Sequence, residues 1–118
     1  MMFSFAMAQE IHWANQATVG WDEVVPLDAE DIITYRLYTQ LGSTEIMVDE
    51  VSALEYTFTF DTEGIYTVGV QAVRNHTNGD PEQVSIINWS DENGVWTPSP
   101  FVFGYYIAPD APHNFRVQ

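Results

Sequence analysis

Along most of the chain, apolar and polar positions alternate singly, which is the period of a half-buried β-strand. Ala17, Val19 and Trp21 fall on one face of a short run, with Thr18 and Gly20 on the other. A polar loop follows, DEVVPLDAED, with Pro26 and a cluster of acids. The stretch DIITYRLYTQ puts Ile33, Tyr35 and Leu37 on one face and Thr34, Arg36 and Tyr38 on the other. Leu41, Gly42 and Ser43 read as a turn. Residues 44–51, TEIMVDEV, read as a shorter and more polar strand. From Glu55 to Phe60 the alternation returns, with Tyr56, Phe58 and Phe60 on the apolar face. A turn at 61–64 leads into IYTVGVQAVR, the clearest strand. It sends Tyr66, Val68, Val70 and Ala72 inward and Thr67, Gly69 and Gln71 outward. The loop NHTNGDPE, with Asn78-Gly79 and Pro81 as breakers, precedes a last strand at 83–90, QVSIINWS.

No helical period runs beyond about two turns. About seven strands in roughly 90 residues, with turn signals roughly every 8–12 residues, predict an all-β fold, an antiparallel sandwich ahead of a closed barrel. At the start, Phe3, Phe5 and Met7 alternate with smaller residues. That predicts an apolar terminal β-segment over 1–8, packed against something. A signal peptide, the alternative, would carry a basic n-region that MMFSFAMAQ lacks. The domain organisation expected is therefore this segment, a sandwich over 9–94, and an extended arm over 95–118.

The chain has 118 residues and 13.4 kDa, the size of one domain. Apolar residues make up 46% and aromatics 14%, enough to build a core. Charge changes the picture more. Against 17 acids stand three arginines and no lysine, for a formal net charge of −14 and a pI near 4.1. Such a surface repels phosphate backbones and anionic bilayers, so nucleic acid and membrane are not expected partners. No apolar run reaches the roughly 20 residues of a membrane-spanning helix. The absence of cysteine excludes disulfides, thiolate metal sites and a cysteine nucleophile.

Three stretches together resemble the fibronectin type III family. Trp21, at the end of ATVGWDEV, is similar to the core tryptophan of that family's second strand. Residues 33–38, ITYRLY, resemble its third strand, and Tyr66 to Val73 resemble its sixth. Ile87-Asn88-Trp89-Ser90 fits its last strand less specifically. The resemblance covers about residues 9–93. It implies an immunoglobulin-like sandwich whose fold rests on Trp21, Tyr35, Tyr66, Val68 and Val70. It also implies that the Tyr66 hydroxyl closes a corner against the backbone. The family's usual leucine before that tyrosine is missing, and Phe60 or Ile65 would stand in for it. Near the chain's end, Pro109 to Val117 resembles the opening strand of such a repeat. Either a tandem array is cut here or this segment pairs outside the domain. The opening Met-Met reads as the start of a complete short frame, which favours outside pairing. Members of the family are structural and interaction modules without catalytic residues of their own: spacers and adhesion domains of extracellular proteins, and small modules of bacteriophage virions. Fold alone does not fix which of these applies.

Candidate chemistry is thin. The acid pairs Asp22-Glu23, Glu30-Asp31, Asp49-Glu50 and Asp91-Glu92 fall in loops and at strand ends. No histidine, lysine or nucleophile motif accompanies them, so catalysis is not expected. Calcium is the one cofactor to weigh, at Asp28–Asp31 or Asp91–Gly94, although neither has the spacing of a dedicated calcium loop. The expectation is no cofactor and a solvated acidic face. Isolated glycines mark turns rather than a phosphate loop. Asn75-His76-Thr77 and Asn88-Trp89-Ser90 match a glycosylation pattern that is common by chance. Trp13, Trp89 and Trp96 are candidates for stacking on sugars.

The tail VWTPSPFVFGYYIAPDAPHNFRVQ lies beyond the predicted strands and is rich in aromatics. Pro98, Pro100, Pro109 and Pro112 favour an extended chain. Trp96, Phe101, Phe103, Tyr105, Tyr106 and Phe115, with Phe3 and Phe5 at the other terminus, are the expected partner-binding residues. An extended arm of this kind adds a strand to a neighbouring sheet. The alternative is that the tail folds back and completes its own sandwich. The resulting expectation is a non-catalytic protein that binds a protein assembly, or copies of itself, through its termini. With the family resemblance, this points to a phage virion component such as a head decoration or tail-associated protein. The alternative is an extracellular or cell-surface module serving as spacer, adhesin or carbohydrate-binding unit.

Overall fold

The computed structural model describes residues 10–92, 97 and 99–118. Among them every regular element is a strand, nine in all. They are β1 (Glu10–Trp13), β2 (Gln16–Gly20), β3 (Ile32–Leu41), β4 (Thr44–Val51), β5 (Glu55–Thr59), β6 (Gly64–Asn75), β7 (Gln83–Val84), β8 (Asn88–Trp89) and β9 (Phe101–Tyr105). The larger of two sheets runs β1-β9-β6-β3-β4, with β7 and β8 also on β6, and the smaller is β2 with β5.

The spine is β6. Its alternating aromatic and β-branched residues suit a pleated surface packed on both sides. One edge carries β3 in unbroken register from Ile32↔Asn75 to Leu41↔Tyr66. The other edge carries three short strands end to end, β7 at 73–74, β8 at 69–70 and β9 at 64–66. Gly69 permits this arrangement, because a Cβ there would fall 2.7 Å from Ile87 Cγ2 and 2.8 Å from the Trp89 ring. The outward face of β6 is therefore covered too. Gln71 is buried there, accepting a 2.7 Å bond from the Tyr38 hydroxyl and donating at 2.9 Å to the Ser85 carbonyl.

The core lies between the sheets. Leu37, Phe58, Phe60, Tyr66, Val68 and Phe103 form it, with Phe58 of β5 supplying the ring from the small sheet. Phe60 stands 4.5 Å from Tyr66 and 5.5 Å from Phe103, ring centre to ring centre. Each buried side chain of this size contributes about 1.5–3 kcal/mol relative to exposure. At the entrance to β6 the Tyr66 hydroxyl donates to the Thr62 carbonyl at 2.5 Å and accepts from the Thr62 amide at 3.2 Å. Trp21 packs on the core beside Tyr35, whose hydroxyl accepts a 2.9 Å bond from the Val24 amide.

Besides splitting the strand expected over 83–90 into β7 and β8, the structure departs from the sequence expectation in four places. The sheets are mostly antiparallel, but β1 and β9 pair in parallel, Glu10 opposite Phe101 and Trp13 opposite Gly104. Strand β1 itself was not expected. Val70 and Ala72 face inward yet are only half buried, because the small sheet does not extend over them. The fourth departure concerns the arm. Residues 101–105 do not lie beyond the last strand; they continue the edge of β6, and the Phe101 amide donates to the Ser90 carbonyl at 2.9 Å.

Candidate interaction surface

That fourth departure redistributes the residues expected to bind a partner. Phe103 is only 5% exposed and belongs to the core. Phe101 and Tyr105 pack against the same cluster, half buried. The physical reason is local: FVFGY alternates, and its apolar side completes the layer that β5 faces. Phe103, expected at a partner surface, is instead a core residue, and Phe101 and Tyr105 pack against it. Tyr106 and Phe115 remain exposed. Trp96, Phe3 and Phe5 lie outside the described residues, as does the expected segment 1–8.

Beyond Tyr105 the chain leaves the sheet in two steps. Tyr106 stacks on Trp13 at 5.2 Å with 22° between the rings, and the Ile107 amide donates to Glu63 Oε2 at 2.7 Å. From Ala108 onward the residues are exposed and form no strand. Phe115 is 98% exposed and Val117 97%. Arg116 donates to the Asn114 carbonyl within this tail.

The two layers differ in width. A path of five strands faces a pair, and strands lie about 4.8 Å apart. The pair therefore leaves the larger sheet open on both flanks. One flank is a hollow of about 730 Å³ lined by Val19, Trp21, Tyr35, Val70, Ile86 and Phe101, among others. The Trp21 indole N–H is buried at this hollow and has no hydrogen-bond acceptor among the described residues. The other flank is a hollow of about 470 Å³ between β4 and β5, lined by Leu41, Ile46, Val48, Tyr56, Phe58 and Tyr66, among others.

Three of the acids singled out by sequence, Asp31, Asp49 and Glu50, have structural partners. Glu50 accepts from Thr34 Oγ1 at 2.6 Å and from Arg36 Nε at 2.9 Å. These bonds, the threonine first, hold its carboxyl below the usual glutamate range. Arg36 also reaches Glu82 at 2.7 Å, and its two carboxylate partners raise its own pKa. Asp31 is buried between Arg74 and His76, so its carboxylate is already engaged. Burial, with Asp49 close by, pushes the Tyr56 hydroxyl up. Among the described residues no group of three or more histidine, aspartate or glutamate side chains is arranged to hold a metal. Of the tryptophans weighed for sugars, Trp13 is exposed on the Tyr106 stack and Trp89 is half buried near Tyr38.

Sequence reading missed the Arg36 ion-pair cluster and both hollows. Arg36 at an outward position of β3 was the available signal for the first. The hollows depend on how many strands each layer receives, which alternation does not encode.

Compared with known proteins, the chain matches no protein-family profile, no curated protein sequence and no solved structure.

Proposed function

We propose that this protein is a non-catalytic interaction module that joins a protein assembly through its C-terminal tail, residues 108–118. The observation that carries this reading is the exposure of Phe115 and Val117 on a segment that contributes no residue to the core cluster. Apolar side chains carried this way mark an interface. The prolines at 109 and 112 keep the segment extended and limit the entropy lost on docking. We read the fold as an immunoglobulin-like, fibronectin type III-like sandwich. The Tyr66–Thr62 corner and the packing of Trp21 on Tyr35 support that reading. The assembly we favour is a phage virion, and that step rests on the family resemblance alone.

Light scattering on the full chain beside a version ending at Ile107 tests the proposal. A defined oligomer for the full chain, with a shortened monomer of unchanged melting temperature, supports it. Monomers in both cases, with a lower melting temperature for the shortened chain, would make the tail part of its own sandwich and overturn it.

A further inference from the structure

The free edge of β4 is a second surface, separate from the tail. Among the described residues β4 pairs only with β3, and it forms the outer edge of the large sheet. Its eight residues are exposed except for Val51. Ile46 is 53% exposed, Met47 51% and Val48 40%. An edge of this length presents backbone amides and carbonyls ready for another strand. Behind it lies the 470 Å³ hollow, floored by Phe58 and Tyr66 and walled by Ile46, Val48 and Tyr56. A strand added to β4 would set alternate side chains into that hollow, the arrangement in which backbone bonds give affinity and alternate pockets give specificity.

Charge decides the occupant. Glu45, Asp49 and Glu50 lie on β4, Asp61 lines the hollow, and Glu55 opens β5. The nearest cation, Arg36, is already held by Glu50 and Glu82. A second copy, with a formal charge of −14, would bring the same acids against these. Like charges set opposite one another across paired strands are destabilising. A register shift at Leu37/Tyr38 further disfavours an edge that pairs indiscriminately. Features that reject a copy of this chain select a strand of opposite charge.

We propose that the β4 edge and the hollow beside it accept a β-strand from a partner protein in which apolar residues alternate with lysine or arginine. The apolar side chains enter the hollow between β4 and β5. The basic ones reach Glu45 and the acids around it. This surface goes beyond the tail reading and shares no residue with it.

The test is an amide NMR titration of the ¹⁵N-labelled full chain. The probe is a synthetic peptide of alternating lysine and valine, about eight residues long to match the strand. The expected result is saturable shifts centred on 44–51 and 55–59, with signals from 108–118 unmoved. Affinity should fall at least tenfold when alternate peptide nitrogens are methylated, which keeps the charge but removes backbone donors. It should fall similarly in Val48→Lys, which directs a charge into the hollow, and in the milder surface variant Glu45→Lys. Equal binding of the methylated peptide, shifts centred on the acidic loop 22–31, or indifference to both variants would each overturn the proposal. So would self-association of the chain through 44–51.

Discussion

The indole of Trp13 lies over Gly104, so close that a Cβ on that glycine would sit 2.5 Å from the ring. The same indole stacks on Tyr106, the first residue past β9. Gly104→Ala is therefore expected to displace Trp13 and release Tyr106 with it. The cost should be about 1–3 kcal/mol, as for other insertions into packed sites. Urea unfolding checks the stability and tryptophan fluorescence checks the stack. An unchanged midpoint with an unchanged spectrum would show that the ring has room the structure does not give it.

Tyr66→Phe removes the hydroxyl that bridges the amide and carbonyl of Thr62 while leaving the ring in the core. The expected loss is about 0.5–1.5 kcal/mol, the net worth of an ordinary hydrogen bond. The denaturant slope should not change, because the area exposed on unfolding is the same. A loss below a few tenths of a kcal/mol would mean that water replaces the bond at no cost.

Glu50 has a carboxyl held below its ordinary value of 4.5 by Thr34 and Arg36. A depressed acid contributes stability that is fully present above its unfolded pKa and is lost as pH falls through its folded pKa. Acidification also relieves the repulsion of a −14 surface, which acts in the opposite direction. The difference between wild type and Glu50→Gln isolates the first effect. Wild type should be the more stable at neutral pH, and the gap should close as pH falls below about 4.5. A gap constant across that range would remove Glu50 from the account.

How much of this was legible in the sequence depended on distance along the chain. Tyr35 and Leu37 in β3, and Phe58 and Phe60 around β5, announce their buried faces by alternation alone, and Tyr56 on the same face packs against that cluster half buried. Phe101, Phe103 and Tyr105 alternate as clearly. Their partners are β6 and β1, and β1 lies at the other end of the chain, so nothing nearby marks them as core rather than arm. Pro98 and Pro100 just before them strengthened the wrong reading. The polarity of β4 showed in TEIMVDEV, but the exposure of its apolar residues did not. Whether Ile46 and Val48 are covered depends on a small sheet only two strands wide.

The half-covered flank at Trp21 makes another prediction. Leu37→Ala removes a fully buried side chain from the core and should cost about 2–5 kcal/mol. Trp21→Phe removes a buried N–H that has no acceptor among the described residues, which offsets part of the lost ring. Its cost should be clearly smaller, and thermal unfolding of the two variants side by side measures it. Equal losses would mean that the indole N–H finds a partner in solution.

The placement of β9 also bears on how the protein is made. In the large sheet β9 sits between β1 and β6, yet it is the last strand in the chain. Among the described residues β1 has no other neighbour. As the polypeptide leaves the ribosome, β3, β4 and β6 find partners among near neighbours, whereas β1 must wait until β9 is made. Long-range pairings of this kind close late. Until they do, the edge of β6 that receives Tyr66's neighbour Phe103 stays bare, and an unpaired edge of this kind exposes a nascent chain to misassembly.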